Sequence, residues 1–146
     1  MLETMHFLAT LSTALFCGAA IYINVAEQPS RMNLDSQSAL AQWATSYKRA
    51  TWMQAPLAIV GFLAGGGVWV LGGGLLWLIA GLLIGAVVPL TLIVIMPINQ
   101  RLLRPGLSRT ETTELLKRWG RLHSIRTLLS AIATVLMLSR LLTAER

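Results

Sequence analysis

The stretch Ala50–Gln100, ATWMQAPLAIVGFLAGGGVWVLGGGLLWLIAGLLIGAVVPLTLIVIMPINQ, runs for 51 positions without a charged residue. A bilayer core about 30 Å thick takes roughly 20 apolar residues per helical crossing, so this stretch holds two crossings. It offers two places to turn, Gly65-Gly66-Gly67 and Gly72-Gly73-Gly74. Glycine runs favour turns over helix interiors, and a turn at the first triplet leaves the preceding helix too short to cross. The second triplet is therefore the predicted turn. Trp69 and Trp77 bracket it and Trp52 marks the far end of the first helix, positions expected of indoles at membrane interfaces.

Outward from this stretch, Phe7–Ala26 is also free of charge, and Leu122–Leu142 is long enough to span, with His123, Arg126 and Arg140 near its ends. The sequence predicts an all-α integral membrane four-helix bundle, a single domain over 1–146 with helices at about 5–28, 36–71, 75–97 and 108–143. Composition agrees, with 55% hydrophobic and only 12% charged residues, against about a quarter charged in a soluble domain. An ordinary soluble enzyme, a disordered tail and a secreted disulfide scaffold are excluded. Cys17 is the only cysteine, so no intrachain disulfide or CxxC motif can form. The first helix is expected to stay in the mature chain. No Lys or Arg precedes it, as a signal peptide requires, and bulky Phe16 ahead of Cys17 speaks against a lipoprotein signal.

Of the 12 Lys and Arg residues, ten lie in or beside the two long connections: Arg31, Lys48 and Arg49, then Arg101, Arg104, Arg109, Lys117, Arg118, Arg121 and Arg126. The positive-inside rule places both connections in the cytoplasm and both termini in the periplasm, in a multi-pass protein of the bacterial inner membrane. Topology and membrane lipids account for the basic residues without a nucleic-acid partner. Asp35 or Ser36 can cap a helix that continues through Leu40, Trp43, Ala44 and Tyr47, and Ser108 with Glu111 forms an S-x-x-E capping box. Helices two and four should therefore extend beyond the membrane by on the order of four turns. A weak internal repeat is also visible: Pro29 precedes Lys48-Arg49 by 19 residues, and Pro97 precedes Lys117-Arg118 by 20.

Polar groups where lipid would be costly are the best functional pointers. They collect at the cytoplasmic ends of the helices: Asn24 and Glu27 on helix one, Tyr47 and Arg49 on helix two, Asn99 and Arg101 on helix three, and Trp119, His123 and Arg126 on helix four. In an antiparallel bundle these lie at one depth and line a common pocket. Glu27 needs a cation, for which Arg126 or Arg49 is the candidate, and His123 is the natural proton carrier. A metal site is not expected: His6 falls at the opposite face, leaving one His with Glu27 or Asp35. Gly61-x-x-x-Gly65 and Gly81-x-x-x-Gly85 permit close helix packing or a homo-oligomer through glycine-rich faces.

The segments Gly18–Arg31 (GAAIYINVAEQPSR), Tyr47–Ala50 (YKRA), Ile95–Leu102 (IMPINQRL) and Arg118–Arg126 (RWGRLHSIR) resemble the anthrone-oxygenase-like family of small four-helix membrane proteins. The likeness covers nearly the whole chain, with Gln28 standing where related bacterial chains often carry His. It implies oxidation of a small lipophilic aromatic, an anthrone, by oxygen and without a cofactor. Such chemistry needs a base, a group to hold an oxyanion and a dry apolar pocket. The resemblance then implies His123 or Glu27 as the base and Arg126 and Arg49 as charge stabilisers. Asn24, Asn99, Tyr47 and Arg101 would bind and orient the substrate, and Trp119 would form a stacking wall. Two other readings of the residues stay open, a non-catalytic assembly or lipid-binding module and a proton-coupled exporter. Against the exporter, Glu27 sits near an interface, whereas transporter sites favour the midplane.

Overall fold

Four apolar runs become four helices, α1 (Leu2–Met32), α2 (Ser36–Val70), α3 (Leu75–Leu102) and α4 (Arg109–Ala144), in a computed structural model that describes residues 1–144. All four are long and apolar enough to cross a membrane, and no strand occurs among the described residues. Each helix packs on its two neighbours in the ring α1–α2–α3–α4, giving an all-α membrane four-helix bundle. The α2–α3 turn falls at Gly72 and Gly74, whose φ of 87° and 101° suit residues without a Cβ. His6 packs against Trp77 and Arg140 lies beside Gly74, so the N-terminus and the end of α4 share one end of the bundle with that turn. Arg146, the last basic residue of the chain, lies outside the described residues.

Helices one and three run further than the sequence suggests, past Pro29 to Met32 and past Pro97 to Leu102. A helical proline lacks an N–H and crowds the carbonyl four residues back. In both helices a wider turn precedes the proline and absorbs it. Ile23–Glu27 and Leu90–Ile95 are π-helical, with the Gln28 N–H bonded to Ile23 O and the Met96 N–H to Thr91 O.

At the other end, Asp35 rather than Ser36 caps α2, accepting from the N–H groups of Gln37 and Ser38. Ser108 Oγ accepts from the Glu111 N–H at 3.1 Å, but the Glu111 carboxylate binds Arg101 instead of closing the capping box. Inside the bundle the glycine motifs bring α2 and α3 together. A Cβ on Gly65 would lie 3.0 Å from Gly81 Cα and 3.1 Å from Trp77 O, and one on Gly61 would meet Thr13 Oγ1 of α1 at 2.7 Å. Trp52 and Trp69 are exposed as interface indoles should be, but Trp77 is not one of them. It is 2% exposed in the core, its ring 4.5 Å from that of His6.

Two apolar cores fill the bundle. One holds Phe16, Ala58, Val68, Trp77, Ile84 and Met137; the other, in the extended stalk, holds Ile23, Trp43, Ile98, Leu116 and Trp119. Between them lies a polar layer at the level of the two π turns.

The halves match closely. Ala9, Phe16 and Arg31 of α1 are buried, as are Trp77, Ile84 and Asn99 of α3, each 68 positions on. Trp43, Gln54, Gly61, Ala64 and Val68 of α2 find buried counterparts 69 positions on, at Thr112, His123, Ser130, Ala133 and Met137 of α4. Together with the paired π turns, this burial pattern supports the repeat suggested by the proline spacing.

Candidate functional site

The polar layer is built around His123 and Arg126, one turn apart on α4. The His123 Nδ1 lies 2.6 Å from Asn24 Oδ1, while the Asn24 amide nitrogen donates to Ser124 Oγ. With its nitrogen committed to a hydroxyl, Asn24 presents its oxygen to the imidazole, so Nδ1 carries the proton and Nε2 keeps a lone pair. Trp119 stacks on the same ring with centroids 4.9 Å apart, and meets Trp43 edge-on at 6.1 Å. His123 is 1% exposed, fixed by the Asn24 bond at one edge and by the Trp119 indole on one face.

Arg126 differs from every other cation near it. Its Nη2 donates to Gln54 Oε1 at 2.8 Å and its guanidinium lies over the Phe16 ring, 5.3 Å from the centroid. Among the described residues it pairs with no carboxylate, and its Nε and the Gln54 Nε2 are buried donors without acceptors. An unpaired charge and an unsatisfied amide in an apolar bundle are costly, and such groups mark ligand sites.

They line a cavity of about 130 Å³ between α2 and α3, walled by Ala55, Ala58, Val87, Val88, Leu92 and Met96. Tyr47, Thr51 and Thr91 add hydroxyls, and Phe16 closes the far side. A second, smaller cavity of about 20 Å³ joins Arg126, Gln54 and Tyr47 to His123, Trp119, Arg31 and Ser46. That is the size of a single water.

Glu27 has a different partner from the two expected. Arg31, one turn on and 2% exposed, donates Nη2 to its Oε1 at 2.6 Å, Nη1 to Gln28 Oε1 at 2.6 Å and Nε to Gln42. Gln42 and Ser46 donate to the same Glu27 oxygen, and the Arg31 guanidinium covers the outer face of Trp119 at 5.5 Å. Gln28 also donates to Leu116 O at 2.9 Å and so ties α1 to α4. In the sequence Arg31 reads as a topology charge, although its spacing of four from Glu27 is that of a helical ion pair.

The structure brings Glu27, Asn24, Tyr47, Trp119, His123 and Arg126 to one layer and leaves three expected members out. Arg49 is exposed at the rim of the α1–α2 groove, away from the Arg126 cavity. Arg101 is exposed and bound to Glu111 at 2.5 Å, on the outside of the stalk. Asn99 is 1% exposed but lines neither cavity, and both its amide atoms lack partners. A π turn adds a residue, which rotates the remainder of the helix by about 100° around its axis, and Arg101 lies beyond such a turn. Gln54, a lone amide in the first half of the neutral stretch, is the site residue that charge and motif spacing pass over; its polarity amid apolar neighbours is the signal that marks it. Among the described residues no three His, Cys, Asp or Glu side chains gather closely enough to hold a metal.

Fold and site together define a small four-helix membrane protein with an apolar cleft tipped by an uncompensated cation and an oriented histidine in the small cavity beside it. The model of the family described as anthrone oxygenase matches residues 43–136, and the chain belongs to that family. The match takes in Tyr47, Gln54, Trp119, His123 and Arg126 and begins after Asn24, Glu27 and Arg31. No curated protein and no solved structure matches the chain.

Proposed function

We propose that the cleft binds a lipophilic phenolic aromatic of the anthrone type and oxidises it with molecular oxygen. The observation that carries this reading is Arg126, a guanidinium that has no carboxylate partner among the described residues and lines an apolar cavity. An enolate oxygen placed on Arg126 and the Gln54 Nε2 supplies the missing acceptor for both, and the walls of α2 and α3 hold the rings. His123 lines the adjoining 20 Å³ cavity rather than the cleft itself, and its Nε2 takes the proton from the ring methylene carbon through the one water that cavity has room for. The resulting carbanion gives one electron to oxygen, the radical pair combines in a C–O bond, and the peroxide takes up a proton. Removal of the second C–H proton then breaks the O–O bond. The carbon becomes a carbonyl, and one oxygen atom leaves as water.

Bundle orientation belongs to the same reading. The basic connections face the cytoplasm, the termini face the periplasm, and the cleft lies at the cytoplasmic end. Labelling a cysteine placed at Ser38 from the periplasmic side would overturn it.

The test is turnover of 1,8-dihydroxyanthrone by protein in nanodiscs, with oxygen consumption measured. His123→Gln should bind this compound without oxidising it, and Arg126→Met should lose both binding and turnover. If the wild-type protein neither binds nor oxidises it, the reading fails. If both variants lose binding together with helical content, the residues are structural.

A further inference from the structure

Resting on the proposed reading, we infer that a lipid-facing groove between α2 and α3 seats the fused rings that the Arg126 cleft cannot hold, and so selects polycyclic phenols over single rings. The cleft measures about 130 Å³. A dry apolar cavity of about 150 Å³ takes one benzene, so the cleft has room for the ring whose oxygen meets Arg126 and little more. The groove adds about 460 Å³, and Ala58 of α2 and Val88 of α3 line both spaces.

The furrow follows from small residues on the two helices. α2 and α3 touch at Gly65 and Gly81, where a Cβ on Gly65 would lie 3.0 Å from Gly81 Cα. One turn toward the cleft, Phe62 reaches across to α3 and lays its ring on Gly85, where a Cβ would lie 2.7 Å from Phe62 Cδ2. That ring walls the groove, and Ala58, Gly85 and Ala86 leave space there that longer apolar side chains would fill. From Phe62 back to Gln54, the partner of Arg126, α2 rises about 12 Å, a span in which fused rings can lie along the furrow.

Ile59, Phe62 and Leu82 are exposed on the outer face of the bundle, and no charged residue lines the groove. Its occupant is therefore apolar and soluble among acyl chains, as fused aromatic rings are. The shared neck at Ala58 and Val88 assigns the two spaces to one ligand rather than to an acyl chain or a second copy of the protein. Phe62 offers that ligand an aromatic face. Phe62, Gly85 and Ala86 meet the outlying rings and not the reacting carbon, so they decide which substrate is held.

The test compares two ligands, phenol and 1,8-dihydroxyanthrone, titrated anaerobically against protein in nanodiscs, with empty nanodiscs correcting for partition into lipid. The wild type should bind the tricycle at least tenfold more tightly than phenol. Ala86→Phe fills the groove from a half-buried position that does not line the cleft. It should weaken the tricycle by roughly tenfold or more and leave phenol unchanged, the phenol value showing that the cleft is intact. Phe62→Ala, at an exposed position, removes the aromatic wall and should weaken the tricycle by about fivefold with phenol again unchanged; it decides the matter if Ala86→Phe does not fold. If Ala86→Phe binds the tricycle as the wild type does, or if both variants lose phenol in step with the tricycle, the groove serves lipid, a second copy or packing, and the inference is wrong while the cleft stands. If the wild type binds neither ligand, the proposed function falls and the inference with it.

Discussion

Replacing Arg126 with Met is the sharpest separation of a ligand-binding cation from a structural one. Methionine fills the space of the unbranched stem and removes the charge. The variant loses the hydrogen bond to Gln54 at 2.8 Å, worth about 1.5–3 kcal/mol for a charged donor. It also loses the contact with Phe16 at 5.3 Å, about 1 kcal/mol. Against these stands the relief of an uncompensated charge in the membrane, about 2.5–3.5 kcal/mol. The terms nearly cancel, so stability should change by no more than about 1–2 kcal/mol and Tm by about 5 °C or less. Affinity for a phenolate should fall by roughly 30- to 150-fold, the equivalent of a charge-assisted hydrogen bond of about 2–3 kcal/mol. Thermal unfolding in nanodiscs gives the first quantity. Titration with a lipophilic phenol at pH values on either side of its ionisation gives the second. In the wild type the ionised phenol should bind more tightly, and in the variant that preference should vanish. A Tm lowered by more than about 10 °C with phenol affinity unchanged would refute the reasoning.

Gly65→Leu should destabilise the bundle by about 1–3 kcal/mol, because its Cβ would meet backbone on α3 at 3.0 Å and the helices must part; thermal melting checks this. Glu27→Ala leaves the Arg31 guanidinium buried with amide partners only, and should cost about 3 kcal/mol, seen as a lower melting temperature that Arg31→Met partly restores. At the head of α2, outside the membrane, Asp35 is held below the ordinary carboxylate pKa of 3.8 by hydrogen bonds from the Ser38 side chain and the Ser38 and Gln37 backbone. A depressed folded pKa means that its stabilisation is present above 3.8 and is lost as pH falls through the folded value. The melting temperature of Asp35→Asn should accordingly lie below that of the wild type at neutral pH and converge on it toward pH 3, and a constant gap across that range would count against the cap.

The four helices were legible because a bilayer imposes a length: only runs of roughly 20 apolar residues cross it. Depth was legible for the same reason, which is why Glu27, Tyr47, Trp119, His123 and Arg126 do share a layer. The direction each side chain takes around its helix was not. It depends on backbone register, and the π turns before Pro29 and Pro97 change that register within α1 and α3. Neither turn leaves a mark in hydropathy. Partner choice was lost with direction: Arg31 turns inward to Glu27, and Arg101 turns outward to Glu111.

The repeat clarifies where the chemistry sits. The ring of four helices has two related clefts, one between α2 and α3 and one between α4 and α1. In the first, Ala55, Leu92 and Met96 supply apolar walls; their counterparts 69 or 68 positions away, Ser124, Asn24 and Gln28, supply polar side chains to the groove between α4 and α1. Gln54 corresponds in the same way to His123, and Leu57 to Arg126. The two clefts therefore share a frame but differ in the side chains that line it. The groove between α4 and α1 supplies Asn24, which orients His123, while the cleft between α2 and α3 supplies the space into which Arg126 faces. A symmetric bundle would put the same group in both places and could not hold a proton acceptor and an uncompensated cation on one turn of one helix. Divergence between the halves makes that arrangement available. In the proposed reading it also places the base and the oxyanion partner on α4 alone, so that movement of α2 or α3 to admit a ring system need not change the spacing between them.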